Sequence, residues 1–124
     1  MNWTLDARLP LRLIAPAEWP AARTTATDPG IALLLAEGLE GIDTQGVPAA
    51  RFRRNGPRHA LACACCAGRP PVAEALDRLF QARVRGACAW FGSVVALVPD
   101  DETRAEIEAA LQGDALTRAR FKPG

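Results

Sequence analysis

The chain has 124 residues, 49% of them apolar, which suffices for one compact core and leaves no room for a second domain. Fifteen basic residues against fourteen acidic ones leave a net charge of +1, so no bulk attraction to nucleic acid or to an acidic membrane surface is implied. The opening Met1-Asn2-Trp3-Thr4-Leu5-Asp6 lacks the basic start and apolar core of a secretory signal, and no apolar run nears the ~20 residues that cross a bilayer. A soluble, cytoplasmic, single-domain protein over 1–124 is expected, with no nucleic-acid or membrane partner.

Leu9-Pro10-Leu11-Arg12-Leu13-Ile14 alternates and predicts a short strand. Ala15-Pro16-Ala17-Glu18-Trp19-Pro20 reads as loop because of its two prolines, and a helix begun at Arg23 is stopped by Asp28-Pro29-Gly30. Ile31-Ala32-Leu33-Leu34-Leu35, bounded by breakers, predicts a strand buried on both faces. Segments 48–54 and 58–63 flank Asn55-Gly56, a hairpin-type turn signal that Pro57 weakens. Arg51, Arg53, Arg54 and Arg58 then read as a solvated hairpin edge protected from aggregation by charge, and a contact with an anionic partner is the alternative.

Pro70-Pro71 opens the best helix, with Val72, Leu76, Leu79 and Phe80 on one stripe and Glu74, Asp77, Arg78 and Gln81 on the other. Arg83 and Arg85 suit its C-terminal dipole and Gly86 ends it. Residues 87–98 predict a strand whose centre is Val94-Val95-Ala96-Leu97-Val98. Asp100 or Asp101 caps a second helix that Gly113 ends, and a turn through Leu116 and Phe121 follows. Strands alternating with helices imply an α/β fold, a small, mainly parallel sheet of four or five strands with flanking helices.

The chemistry concentrates in Cys63-Ala64-Cys65-Cys66, three of the chain's four cysteines. Thiolates this crowded bind a soft or borderline metal, do redox chemistry, or are inert small residues of a turn. In a reducing compartment, metal or redox use is favoured over a structural disulfide, and the adjacent Cys65 and Cys66 are poorly placed to pair with each other.

This order of pieces, with Val72-Ala73-Glu74-Ala75-Leu76 following the cysteines, resembles the N-terminal part of the nucleotide-binding domain of CobW-family metal-chaperone GTPases. That family carries a P-loop ending Gly-Lys-Thr-Thr, an Asn-Glu-Phe-Gly-Glu-x-Gly-x-Asp segment and a Gly-Cys-x-Cys-Cys metal motif before a similar helix. The similarity runs from about Leu9 to Phe121, and only the cysteine motif and its helix are specific. It implies a trimmed P-loop-NTPase-like domain. Aligned back from Thr24-Thr25, however, Ala17, Pro20 and Ala22 replace the family's glycines and Arg23 replaces its lysine. A phosphate cradle needs inward-turned amides, and Pro20 has none. Leu97-Val98-Pro99-Asp100 stands in place of the family's Glu-Thr-x-Gly, and the guanine-reading motif is absent. A pseudo-GTPase that binds no nucleotide is implied.

The resemblance singles out Cys63, Cys65 and Cys66 as metal ligands, with Zn²⁺ the first expectation and Cu⁺ the second. Three thiolates leave a fourth position. His59, the only histidine, is one candidate for it. Glu37 is another through its match to the family's acidic segment. Cys88 is a third, although beside Trp90-Phe91 it reads first as an apolar core thiol. Trp19 is the aromatic expected to contact a partner. The implied function is a non-catalytic metal-binding accessory protein, acting as a homodimer or on an intact CobW-type GTPase. Two other readings stay open: a thiol redox or nucleophile enzyme, which needs a base or resolving thiol, and a dimerisation module without metal.

Overall fold

A computed structural model describes residues 7–25, 30–44, 46–53 and 70–124. Its strands are β1 (Leu9–Ile14), β2 (Ile31–Ala36), β3 (Ala49–Phe52), β4 (Ser93–Leu97) and β5 (Phe121–Pro123). The helices are α1 (Trp19–Thr25), α2 (Pro71–Arg85), α3 (Asp101–Gly113) and α4 (Ala115–Arg120), and a single 3₁₀ turn at Pro16–Glu18 precedes α1. The five strands form one all-parallel sheet in the order β3-β2-β4-β1-β5. This is the expected α/β class, consistent with a small P-loop-like domain. Among the described residues no helix is long and apolar enough to cross a membrane.

Strand composition explains the layering. Successive side chains of a strand point to opposite faces, and β2 and β4 are apolar at nearly every position, so both faces must be covered. Ala32, Leu34, Ala36, Val94, Ala96 and Phe52 enter one core with Leu9 and Leu11. There they meet Val72, Ala73, Ala75, Leu76 and Leu79 of α2 and Ile107, Ala110 and Leu111 of α3. Leu33, Leu35, Val95, Leu97 and Ile14 face the other way, beneath Trp19 and Ala22 of α1 and Leu39, Ile42 and Val47 of the β2–β3 connection. The β1–β2 crossover travels one way across the sheet on the α1 face. The β3–β4 and β4–β5 crossovers travel the other way on the opposite face, as a common crossover hand requires.

The helix ends follow their chemistry. Pro71 opens α2 in the position where its missing N–H is not needed. Gly86, at φ +69°, closes it: the Gly86 amide donates to Arg83 O and the Ala87 amide to Ala82 O. Asp100 Oδ1 accepts from the Thr103 amide at 2.8 Å and starts α3. Asp114 Oδ2 accepts from both the amide and the hydroxyl of Thr117, at 3.0 and 2.8 Å, and starts α4.

Four expectations are corrected. The stretch 15–20, expected as loop, is helical from Pro16 on, because Pro16 and Pro20 sit in first turns where no amide donor is required. The 48–54 segment contributes β3, whose partner among the described residues is β2, in parallel; the Asn55-Gly56 turn lies outside the described residues. The later strand is shorter than 87–98 and begins at Ser93. Finally, the tail past Gly113 is no simple turn: it holds α4 and then β5, with Phe121 buried opposite Leu9 of β1.

One buried group tests the packing around α3. Thr103 is fully buried, and its Oγ1 has no hydrogen-bond partner among the described residues. An unpaired buried hydroxyl is a cost that a methyl of the same shape does not carry. Thr103→Val should therefore leave the unfolding free energy unchanged or raise it by about 1 kcal/mol. A loss in urea titration would show that the hydroxyl is bonded.

Candidate functional site

Two places in the fold can hold chemistry. The first follows β1, where the resemblance calls for a phosphate loop. The Ala15 amide, the first after β1, donates to Glu18 Oε1 at 2.8 Å, and the Glu18 amide donates to Ala15 O at 2.9 Å. The chain thus closes on its own carboxylate and proceeds directly into α1. Trp19 is 2% exposed, so the residue expected to meet a partner is a core residue instead. Its indole N–H donates to Asp43 O at 2.9 Å. Arg23, in the lysine's place, donates to the same carbonyl at 2.8 Å, pairs with Asp43 Oδ2 at 3.2 Å, and lies 5.9 Å from the Trp19 ring centroid. Those contacts fasten segment 37–44 to α1.

In open parallel sheets ligands gather at the carboxyl ends of the strands where connections leave to opposite faces. Here that switch lies between β1 and β4, joined where the Val98 amide donates to Ile14 O at 2.8 Å. The exposed residues that follow these two strand ends include Glu18, Asp100, Asp101 and Glu102. Two of them are engaged locally, Glu18 Oε1 by the Ala15 amide and Asp100 Oδ1 by the Thr103 amide.

The second place is a cleft of about 660 Å³ at the carboxyl ends of β2 and β3, walled on one side by the first two turns of α2. Glu37, Arg51, Phe52, Arg53, Pro71, Glu74 and Arg78 line it. Glu37 comes immediately after β2, where its amide donates to Phe52 O at 2.9 Å and so holds it beside β3. Arg78 Nη2 donates to Arg51 O at 2.7 Å, tying α2 to β3, while Arg51 Nη1 donates to Leu39 O at 3.3 Å. Glu74 and Arg78 lie one turn apart on α2, so both present to the same wall.

Cys63, Cys65, Cys66, His59, Arg54 and Arg58 lie outside the described residues. Those that flank the cysteine segment, Arg53 before it and Pro71 after it, both line the cleft, as does Glu37. Cys88 is placed elsewhere. It follows the far end of α2, a helix about 22 Å long by its rise per residue, and is partly buried against the main core. Glu37 and Cys88 are therefore not brought together, and among the described residues no three of His, Cys, Asp and Glu gather as a metal site. Sequence reasoning had treated Glu74 and Arg78 only as a polar helix face; their i, i+4 spacing just after the cysteines was the available signal.

No family model matches this chain, and neither a curated protein nor a solved structure does.

Near Cys88 the surface carries Trp90, 58% exposed, with the Arg83 guanidinium 3.6 Å from its ring centroid. Arg83 Nε also donates to Phe91 O at 2.7 Å. Partial desolvation lowers the pKa of Arg83 from its ordinary value, which for guanidinium leaves the charge intact at neutral pH. The neighbouring strand entry is tight: Gly30 stands at φ +99°, and a Cβ there would sit 3.0 Å from Trp90 O.

Proposed function

We propose that this chain is a non-catalytic metal-binding accessory protein, holding zinc through Cys63, Cys65 and Cys66, with Cu⁺ the second candidate. The observation that carries the reading is the position of Glu37. It follows β2 and lies far from the cysteines in sequence, yet it lines the same cleft as Arg53 and Pro71, which border the cysteine segment on its two sides. Pro70 comes four positions after Cys66, a span of at most about 14 Å of extended chain, a tether short enough to let the thiolates approach that carboxylate. Three sulfurs and one oxygen suit the tetrahedral preference of zinc, and sulfurs alone suit Cu⁺. Thiolate ligands need a reducing compartment, which favours the cytoplasm.

Cys63, Cys65, Cys66 and Glu37 would hold the metal, which when bound would neutralise the charge of the thiolates. The cysteines deliver the affinity by giving up their protons, and Glu37 completes the set from the β2 end. The partner expected for such a module is a second copy or an intact CobW-type GTPase, whose resemblance to this chain supplies that part of the proposal. Elemental analysis of protein purified without chelator, beside a free-thiol titration, tests the reading. One zinc per chain is expected, with three of four thiols reacting only after chelation; four freely reactive thiols after zinc reconstitution would refute it.

A non-catalytic reading also requires that nucleotide be refused. The Glu18 carboxylate on the Ala15 amide, the buried Trp19 and the acidic rim after β4 all oppose phosphate binding. Calorimetric titration with GTP and Mg²⁺ should show no heat at millimolar nucleotide, and micromolar binding would overturn it.

A further inference from the structure

We infer that the cleft at the ends of β2 and β3 is a binding site for a small zwitterion, a free amino acid or a short peptide with unblocked termini. The argument begins with charge. Three guanidiniums, Arg51, Arg53 and Arg78, and two carboxylates, Glu37 and Glu74, line one concavity. A purely anionic ligand meets the two carboxylates and a purely cationic one meets the three guanidiniums. A molecule carrying both signs satisfies each wall.

The second step concerns which of these groups are already engaged. Arg51 and Arg78 each donate to a backbone carbonyl, Leu39 O and Arg51 O, so their side chains are held in place with further N–H groups to spare. Arg53 on the β3 wall and Glu74 on the α2 wall are both exposed, and neither side chain makes a hydrogen bond or ion pair among the described residues. Opposite charges thus face one concavity from two different elements without pairing to each other. Placed that way, they match a ligand whose carboxylate reaches Arg53 and whose ammonium reaches Glu74. Half-buried Pro71 adds apolar surface to the same lining.

The third step is place and size. The cleft sits at the carboxyl ends of β2 and β3, on the same edge of the parallel sheet as the β1–β4 switch. Its volume, about 660 Å³, lies within the range of small-molecule sites. The inference shares its cleft and Glu37 with the metal reading, but the residues that carry it, Arg53 and Glu74, are not assigned to the thiolate site.

The test is a calorimetric and NMR titration of the full chain with a free amino acid, a dipeptide and a tripeptide, each beside its N-acetylated and C-amidated form. It is made on metal-free and zinc-loaded protein, so that failure of zinc uptake is distinguishable from failure of the cleft. One or more of the unblocked ligands should bind, and blocking either terminus should weaken binding by about 10- to 100-fold, the range for a charge-assisted hydrogen bond. Arg53→Gln and Glu74→Gln should each cost a similar factor while leaving the melting temperature unchanged. The double variant Arg53→Glu/Glu74→Arg should recover part of the affinity. No binding at millimolar ligand, equal binding of blocked forms, or indifference to both glutamine substitutions would overturn the inference.

Discussion

Serine in place of Cys65 or Cys66 should lower zinc affinity by more than about 100-fold, beyond the 10- to 100-fold that changes around an intact ligand set produce. Cys88→Ser should leave affinity unchanged, since Cys88 lies past the opposite end of α2 from the cleft. Glu37→Gln, which keeps shape and removes charge, should fall between these limits. The pH dependence has a definite sign. Free thiols titrate near 8.5 and must lose their protons to bind, so affinity falls as pH drops, by up to about tenfold per pH unit for each thiolate. Competition with a chromophoric chelator between pH 6 and 8 measures both effects. Equal retention of zinc by wild type, Cys65→Ser and Cys66→Ser would remove the cysteine motif from the site. Retention lost only in Cys88→Ser would place the metal at the other end of the molecule.

The largest effect on folding should come from Trp19→Ala. Among the described residues the indole packs with five other buried residues on its face of the sheet, namely Ile14, Leu33, Leu35, Val95 and Leu97. Truncating a buried aromatic costs about 3–5 kcal/mol, a large part of the 5–15 kcal/mol that holds a domain of this size together. The loss also removes the N–H that Asp43 O accepts. Trp19→Phe keeps most of the area and loses the donor, so a cost of about 1–2 kcal/mol is expected. Trp90→Ala, at an exposed position, should cost under about 1 kcal/mol. Urea unfolding followed by circular dichroism ranks the three. A Trp19→Ala variant as stable as Trp90→Ala would mean that the α1 face is not packed as described.

Much of the architecture was legible because some segments leave little choice. Ile31–Ala36 is apolar throughout and bounded by breakers, and Pro71–Arg85 shows its buried stripe, its proline start and its glycine stop. Helix α1 was hidden because Pro16 and Pro20 announce irregularity unless one knows that both fall in first turns. Strand β5 was hidden because three residues show no period, and Phe121 is a strand residue only by virtue of pairing with Leu9. The order of strands depends on such distant pairings, which no local pattern encodes. At the candidate site the thiol spacing was visible in the sequence, as was Glu37. What could not be seen was that Glu37, Glu74 and three arginines share one cleft, since β2, β3 and α2 meet there only in three dimensions. Trp19 was misjudged because a proline-rich neighbourhood says nothing of the sheet face lying beneath it.

The position of β1 has a consequence for how the protein is made. Both neighbours of β1, β4 and β5, are encoded in the last third of the chain. At 5–20 residues per second, a nascent chain carries β1 for on the order of ten seconds before β4 exists to receive it. Throughout that interval Leu9, Leu11, Leu13 and Ile14 are an apolar strand without a sheet. Pro10, which has no N–H to offer a passing strand, and the exposed charge of Arg12 interrupt it. Both can be read as guards against mispairing during synthesis.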